Sequence, residues 1–238
     1  MEDYSVISIP GFAEPVSCFS HLLAAAIILS WSIVLVIQTP MSVLKRFSFI
    51  VYACGAVFMF AMSGVYHLLD HGSTERFVLQ RLDHAAIWIM IAATFTPIQL
   101  LLFRGARRWT VLALVWALAG TGIVLKTVFF AGIPEWAGLL LYLGMGWIGA
   151  WSGIDLMRRY GSRFFNPLAW GGLLYTVGAV LDYLRFPVII PGVVGPHEVF
   201  HIFVVAGALS HFVLVMRAIR RRYPIRLARR RAWVSTRS

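Results

Sequence analysis

Residues 193–215 read "VVGPHEVFHIFVVAGALSHFVLV", a run that sets two histidines and a glutamate at the head of a stretch otherwise almost wholly apolar. His197 and His201 stand four residues apart; on a helix that spacing puts both imidazoles on one face, one turn from each other. Two nitrogen donors so placed form a bidentate grip for a metal ion. The apolar residues that follow are numerous enough to carry a helix across a bilayer, whose ~30 Å hydrocarbon core takes about 20 mostly apolar residues.

Working outward from that run, six more stretches of the same kind precede it. The spans fall at about 18–38, 47–69, 80–102, 109–130, 136–156, 167–186 and 197–219. Short breaks rich in charge, Gly and Pro separate them, among them "QTPMSVLKR", "DHGSTERFV" and "RRYGSRFFN". The composition agrees: 60% of residues are hydrophobic, 13% are charged and the mean hydropathy is +0.79, beyond the balance of a soluble domain. The expected fold is all-α, a seven-transmembrane helix bundle with an intramembrane metal site. It forms one membrane domain over residues 1–220, followed by a basic tail at 221–238. Residues 1–17 contain no Lys or Arg, and no small-residue cleavage signature follows the first apolar stretch, so that stretch reads as a retained span rather than a signal peptide.

Charge placement orients the bundle, because short cytoplasmic loops are enriched in Lys and Arg. Seventeen of the 21 cationic residues fall after the first, third, fifth and seventh spans, while only Arg76, Arg81, Lys126 and Arg185 fall on the other side. The N-terminus is therefore expected outside and the C-terminus in the cytoplasm. Nine of those cations lie from Arg217 onward and account for most of the net +11. Directly after a span, "RRRYPIRLARRRAW" fixes topology and meets anionic lipid headgroups. The expected partners are membrane lipids, and no nucleic acid.

Ionisable groups at membrane depth are costly and are kept mainly at pathways or sites. Cys18 and Cys54 have no CxxC spacing, so a metal has to be held by nitrogen and oxygen. Near the end of the second span "MSGVYHLLDHG" places Ser63 and His67 four residues apart, and "RLDHAAIW" places Asp83 and His84 early in the third. The parity of the crossings brings the end of span two and the starts of spans three and seven to the same membrane face. Ser63, His67, Asp83, His197 and His201 can therefore converge. Three imidazoles suit Zn²⁺ with a fourth position open to water, whose pKa the ion lowers to about 7. Asp83 can accept the water's proton, and Ser63 can hydrogen-bond the water or a developing oxyanion. A substrate reaching such a site from the lipid phase would be an amide or ester of a long acyl chain.

Taken singly, each residue has a plainer role. A histidine in a span commonly bonds to a neighbouring helix, and a serine commonly bonds to its own i−4 carbonyl. His21, His71, His84 and His211 are assigned supporting, interhelical or interfacial roles; His71, one turn beyond His67, is a rival ligand placed in the loop after Asp70. "HEVFH" also fits the HExxH pattern, in which Glu198 would act as general base of an intramembrane metalloprotease. Its plain alternative is a carboxylate at a helix N-terminus, where the helix dipole favours negative charge.

The stretches "EPVSCFSHLLAAA", "SGVYHLL", "LDHAAIWIMIAATFTP" and "HEVFHIFVVAGALSHF" together resemble the hemolysin III family, bacterial relatives of the progestin and adipoQ receptors, themselves similar to alkaline ceramidases. The resemblance covers nearly the whole chain from Glu14. It implies seven membrane helices with zinc on three histidines near one face. His67, His197 and His201 match the ligands, Asp83 the acid beside the metal, and Ser63 the serine one turn before the first ligand. It also favours Asp83 over Glu198 as proton acceptor. Ala85 and "AATFTP" stand where the family's third-span motif has a small hydroxyl residue and a glycine. The receptor branch is placed with its N-terminus in the cytoplasm; here the charge asymmetry argues for the reverse and sets the metal toward the extracytoplasmic face. The expected function is zinc-dependent hydrolysis of a lipid-like amide. The alternatives are a non-catalytic zinc-stabilised sensor, the HExxH protease and a pore-former.

Overall fold

The computed structural model describes residues 6–221. The basic tail read from the sequence therefore lies, past Arg221, outside the described residues. Seven helices follow in order: α1 Pro15–Gln38, α2 Val43–Leu68, α3 Thr74–Leu102, α4 Ala106–Val128, α5 Glu135–Tyr160, α6 Ser162–Tyr183 and α7 Pro196–Arg220. All seven are long and apolar enough to cross a membrane. Among the described residues there is no strand, only isolated bridges at Ile9–Phe12 and Ile190–Val194.

The helices overrun the apolar stretches at most ends because their first turns are built from polar and charged residues that hydropathy does not register. Ser42 caps α2 by accepting from the Lys45 amide at 3.5 Å, and Ser73 caps α3 by accepting from the Arg76 amide at 3.2 Å, which satisfies amides that have no partner within the helix. The fourth span was expected to reach residue 130, but Phe130 opens a 3₁₀ turn, Phe130–Gly132. Gly161, at φ +82°, serves as the C-cap of α5 and the N-cap of α6. That left-handed conformation is open to glycine without a Cβ clash, and it reverses the chain in a single residue.

Helix α3 forms the spine: it is the most deeply buried of the seven, and it packs against α2, α4, α5 and α7. α1 joins α2 to α7, and α7 packs broadly on α6. Small residues set the closest approaches. A Cβ built on Gly55 would lie 2.5 Å from the Ala93 Cβ, so α2 and α3 meet almost backbone to backbone, the usual way helices gain packing without a hydrophobic driving force in lipid. Gly144 and Gly146 have nothing within 4 Å of where a Cβ would stand. Among the described residues neither makes such a contact. α5 leans on α6 and touches α3 only lightly. The space this leaves is a cavity of about 640 Å³.

Candidate metal centre

The cavity is largely apolar, and the charged residues that line it, Glu14, Asp83, Lys126, Glu135, Asp182 and Arg185, all stand near helix ends at one membrane face. The chain passes seven times, so the end of α2, the start of α3 and the start of α7 share that face. His67 from α2 and His197 and His201 from α7 come together there. The His67 and His197 Nε2 atoms are 3.4 Å apart, and the His201 and His197 Nε2 atoms 3.1 Å. The i, i+4 spacing on α7 accounts for the second contact; the first needs the tertiary packing of α2 against α7.

The other ring nitrogens decide what those Nε2 atoms can do. His67 Nδ1 contacts the Glu14 carboxylate, and His197 Nδ1 lies 3.2 Å from Asp182 Oδ1. An ionised carboxylate only accepts, so both Nδ1 atoms carry the proton and both Nε2 atoms present a lone pair. Two lone pairs facing each other at 3.4 Å repel unless a cation or an added proton lies between them. His201 cannot relieve the conflict, since a single N–H on its Nε2 could serve only one lone pair. Tetrahedral coordination with bonds of 2.0 to 2.1 Å would put ligand nitrogens about 3.3 Å apart. Both the donor chemistry and the spacing fit a metal ion on these three residues. Carboxylates behind two of the imidazoles supply the support that orients metal-bound histidines.

Glu14 was not singled out as a site residue from the sequence, although it opens the "EPVSCFSHLLAAA" motif. It stands just before α1, whose entry is pinned to the end of α2: the Ala13 and Glu14 amides donate to the Leu68 and His67 carbonyls at 3.2 and 3.0 Å. Arg76 Nη2 donates to Glu14 at 2.6 Å while its Nη1 donates to the Leu69 carbonyl at 2.6 Å. Burial by itself would raise the Glu14 carboxyl; the hydrogen bond from His67 and the charge of Arg76 outweigh it and hold the group down at about 2. Asp182 escaped notice as well. Its only signal was an ionisable group at the end of the sixth span.

Ser63, one turn before His67, is buried, and Asp83 is half-buried; both line the same cavity as the histidines. Neither side chain makes a hydrogen bond to another described residue. His71 does not join the cluster: its side chain is exposed and its Nε2 lies 3.6 Å from Glu14 Oε1. His84 bonds to the Gln80 carbonyl at 2.8 Å. His21 stacks on His201 with ring centroids 3.8 Å apart, and His211 sits at the far end of the cavity beside Tyr175. Glu198 is turned away from the cavity into the α1 contact. Its Oε1 accepts from Ser17 Oγ at 2.9 Å and its Oε2 from the Gly195 amide at 3.0 Å, so it caps α7 as the plainer reading of "HEVFH" supposes.

The fold and the cluster define a class: an integral multi-pass membrane protein of seven helices with a histidine triad, able to hold a metal, at the mouth of an internal cavity. The family profile described as "Haemolysin-III related" matches residues 12–212. The chain belongs to that family. It is 33% identical to Hemolysin-3 of Bacillus cereus over 172 residues, covering 71% of this chain and 74% of that protein. Over 170 residues it is 31% identical to the Hemolysin-3 homolog of Bacillus subtilis (strain 168), with 71% and 76% covered. It is also 29% identical over 192 residues to Heptahelical transmembrane protein 5 of Arabidopsis thaliana, covering 71% of this chain and 49% of that longer protein.

Proposed function

We propose that the chain is a zinc-dependent hydrolase that cleaves a lipid-like amide within the membrane. The observation that carries this reading is the convergence of three Nε2 atoms, with carboxylates behind two of the rings, at the polar end of a largely apolar cavity. His67, His197 and His201 are the residues that would hold the ion. A zinc ion bound there supplies Lewis-acid chemistry and makes water acidic enough to be deprotonated near neutral pH. Asp83, on the neighbouring wall, takes the proton as water attacks. The Ser63 hydroxyl donates to the amide oxygen as negative charge develops on it. From Asp83 to Ile98 the cavity follows fifteen residues of α3, roughly 22 Å at 1.5 Å per residue, a length that accepts a long acyl chain.

The protease reading loses its base, because Glu198 is spent on Ser17 and Gly195. A pore is disfavoured by α3, which occupies the middle of the bundle. The test is elemental mass spectrometry on detergent-purified protein beside His67→Ala, His197→Ala and His201→Ala. The expected result is about one zinc per chain, lost in each variant. Asp83→Asn should keep the zinc and lose roughly 10²- to 10⁴-fold in acyl-amide turnover, the span of one general base. Zinc without turnover on any acyl amide would replace the enzyme with a zinc-stabilised sensor, and wild type free of metal in chelator-free buffer would remove both readings.

A further inference from the structure

Lys126 has no part in the chemistry above, yet it is the most unusual charge in the bundle. It lies near the end of α4, a helix otherwise largely exposed to lipid, and it is itself only 6% exposed. A lysine this close to a helix end ordinarily extends its ammonium to the interface. Here the side chain turns inward and lines the same cavity as the histidines. Gly138 on α5 makes the room: a Cβ built there would stand 2.9 Å from Nζ. The ammonium rests 5.5 Å from the centre of the Phe130 ring, which His84, the residue after Asp83, also meets at 5.2 Å, so one ring lies against both Lys126 and the start of α3.

Among the described residues no carboxylate lies within ion-pair distance of Lys126 and no acceptor bonds to it. Glu135 on the cavity wall, whose charge reaches Lys126, makes its ion pair with Arg185 at 3.5 Å. An unpaired ammonium withdrawn from water is costly, and an anion arriving in the cavity would relieve that cost. Helix parity sets this cation at the same membrane face as the histidine cluster, with the apolar length of the cavity running away from both.

We propose that Lys126 recognises a carboxylate on the head side of the substrate, so that the ligand class is an N-acyl amino acid. The acyl chain fills the apolar cavity, the amide lies at the histidines and the carboxylate meets Lys126. The cleavage rests on the hydrolase reading: water delivers its oxygen to the acyl carbon, the C–N bond breaks, the nitrogen takes the proton, and a fatty acid and a free amino acid result. The recognition by Lys126 holds with or without turnover.

The test is competition binding to purified, zinc-replete protein with N-palmitoylglycine and N-palmitoylglycinamide, which present the same chain and amide and differ in the charge of the head. Wild type should prefer the acid at least tenfold. Lys126→Met should bind both alike, Lys126→Arg should keep the preference, and zinc content should be unchanged in both variants. Binding of the two ligands within twofold by wild type, or a preference that survives in Lys126→Met, overturns the assignment. N-palmitoylethanolamine phosphate binding more tightly than N-palmitoylglycine overturns the choice of carboxylate. Preference without turnover leaves Lys126 in place and removes the hydrolase; turnover of the glycinamide without preference does the opposite.

Discussion

Replacing Glu14 by Gln probes the support of the metal centre without touching a ligand. The substitution keeps an oxygen able to accept from His67 Nδ1 but removes the charge that makes the imidazole a stronger donor to a metal. Loss of such a carboxylate partner costs about 10- to 100-fold in metal affinity, or roughly 1.4 to 2.8 kcal/mol. Asp182→Asn makes the matching change behind His197 and should cost less, under about tenfold by the same scale. The reason is solvent: the His67 and Glu14 side chains are 3% and 15% exposed, whereas those of His197 and Asp182 are 39% and 26% exposed and 3.2 Å apart, and water screens the second pair. The assay is competition for zinc against a chromophoric chelator in detergent. Arg76→Gln serves as control, since it breaks the tie of Glu14 to the α2–α3 connection and leaves His67 and its carboxylate in contact. Equal affinities for wild type and Glu14→Gln would refute the reasoning, as would a larger loss for Asp182→Asn or a full reproduction of the Glu14 effect by Arg76→Gln.

Glu198→Gln should retain turnover and lose only about 1 kcal/mol of stability, because its oxygen still accepts from the Gly195 amide while its NH₂ donates to the Ser17 hydroxyl oxygen, and neutral hydrogen bonds are weaker than those to a charged group; a folded, zinc-bound variant with no turnover would return the glutamate to the chemistry. Gly55→Ala should cost about 1 to 3 kcal/mol by overpacking α2 on α3, while Gly144→Ala should stay within about 0.5 kcal/mol, both read from unfolding in mixed micelles; equal effects would mean that α2 and α3 do not meet as described. The Glu14 carboxyl, held at about 2 against an ordinary 4.5, contributes stability that is fully present above its unfolded value and is lost as pH falls toward the folded one. In metal-free protein the difference in Tm between wild type and Glu14→Gln should therefore be flat from pH 8 to about 5 and shrink only below that; a difference that shrinks already between pH 8 and 6 would show that another group controls it.

The spans, their number and the shared face of three histidines were legible in the sequence because they depend on local periodicity and on the parity of crossings. Lipid allows a chain this apolar few solutions other than helices, and helices fix i, i+4 neighbours such as His197 and His201. The helix ends were less legible, since capping serines and charged first turns carry no hydropathy. What only the tertiary structure decided are relations between helices that no spacing encodes: Glu14 on His67 across 53 residues, Asp182 on His197 across a loop, and Lys126 turned inward over Gly138. The direction in which a polar side chain points is set by the helix packed against it. "HEVFH" showed two histidines and a glutamate on one turn, and only the packing of α1 on α7 sent the histidines into the cavity and the glutamate to Ser17.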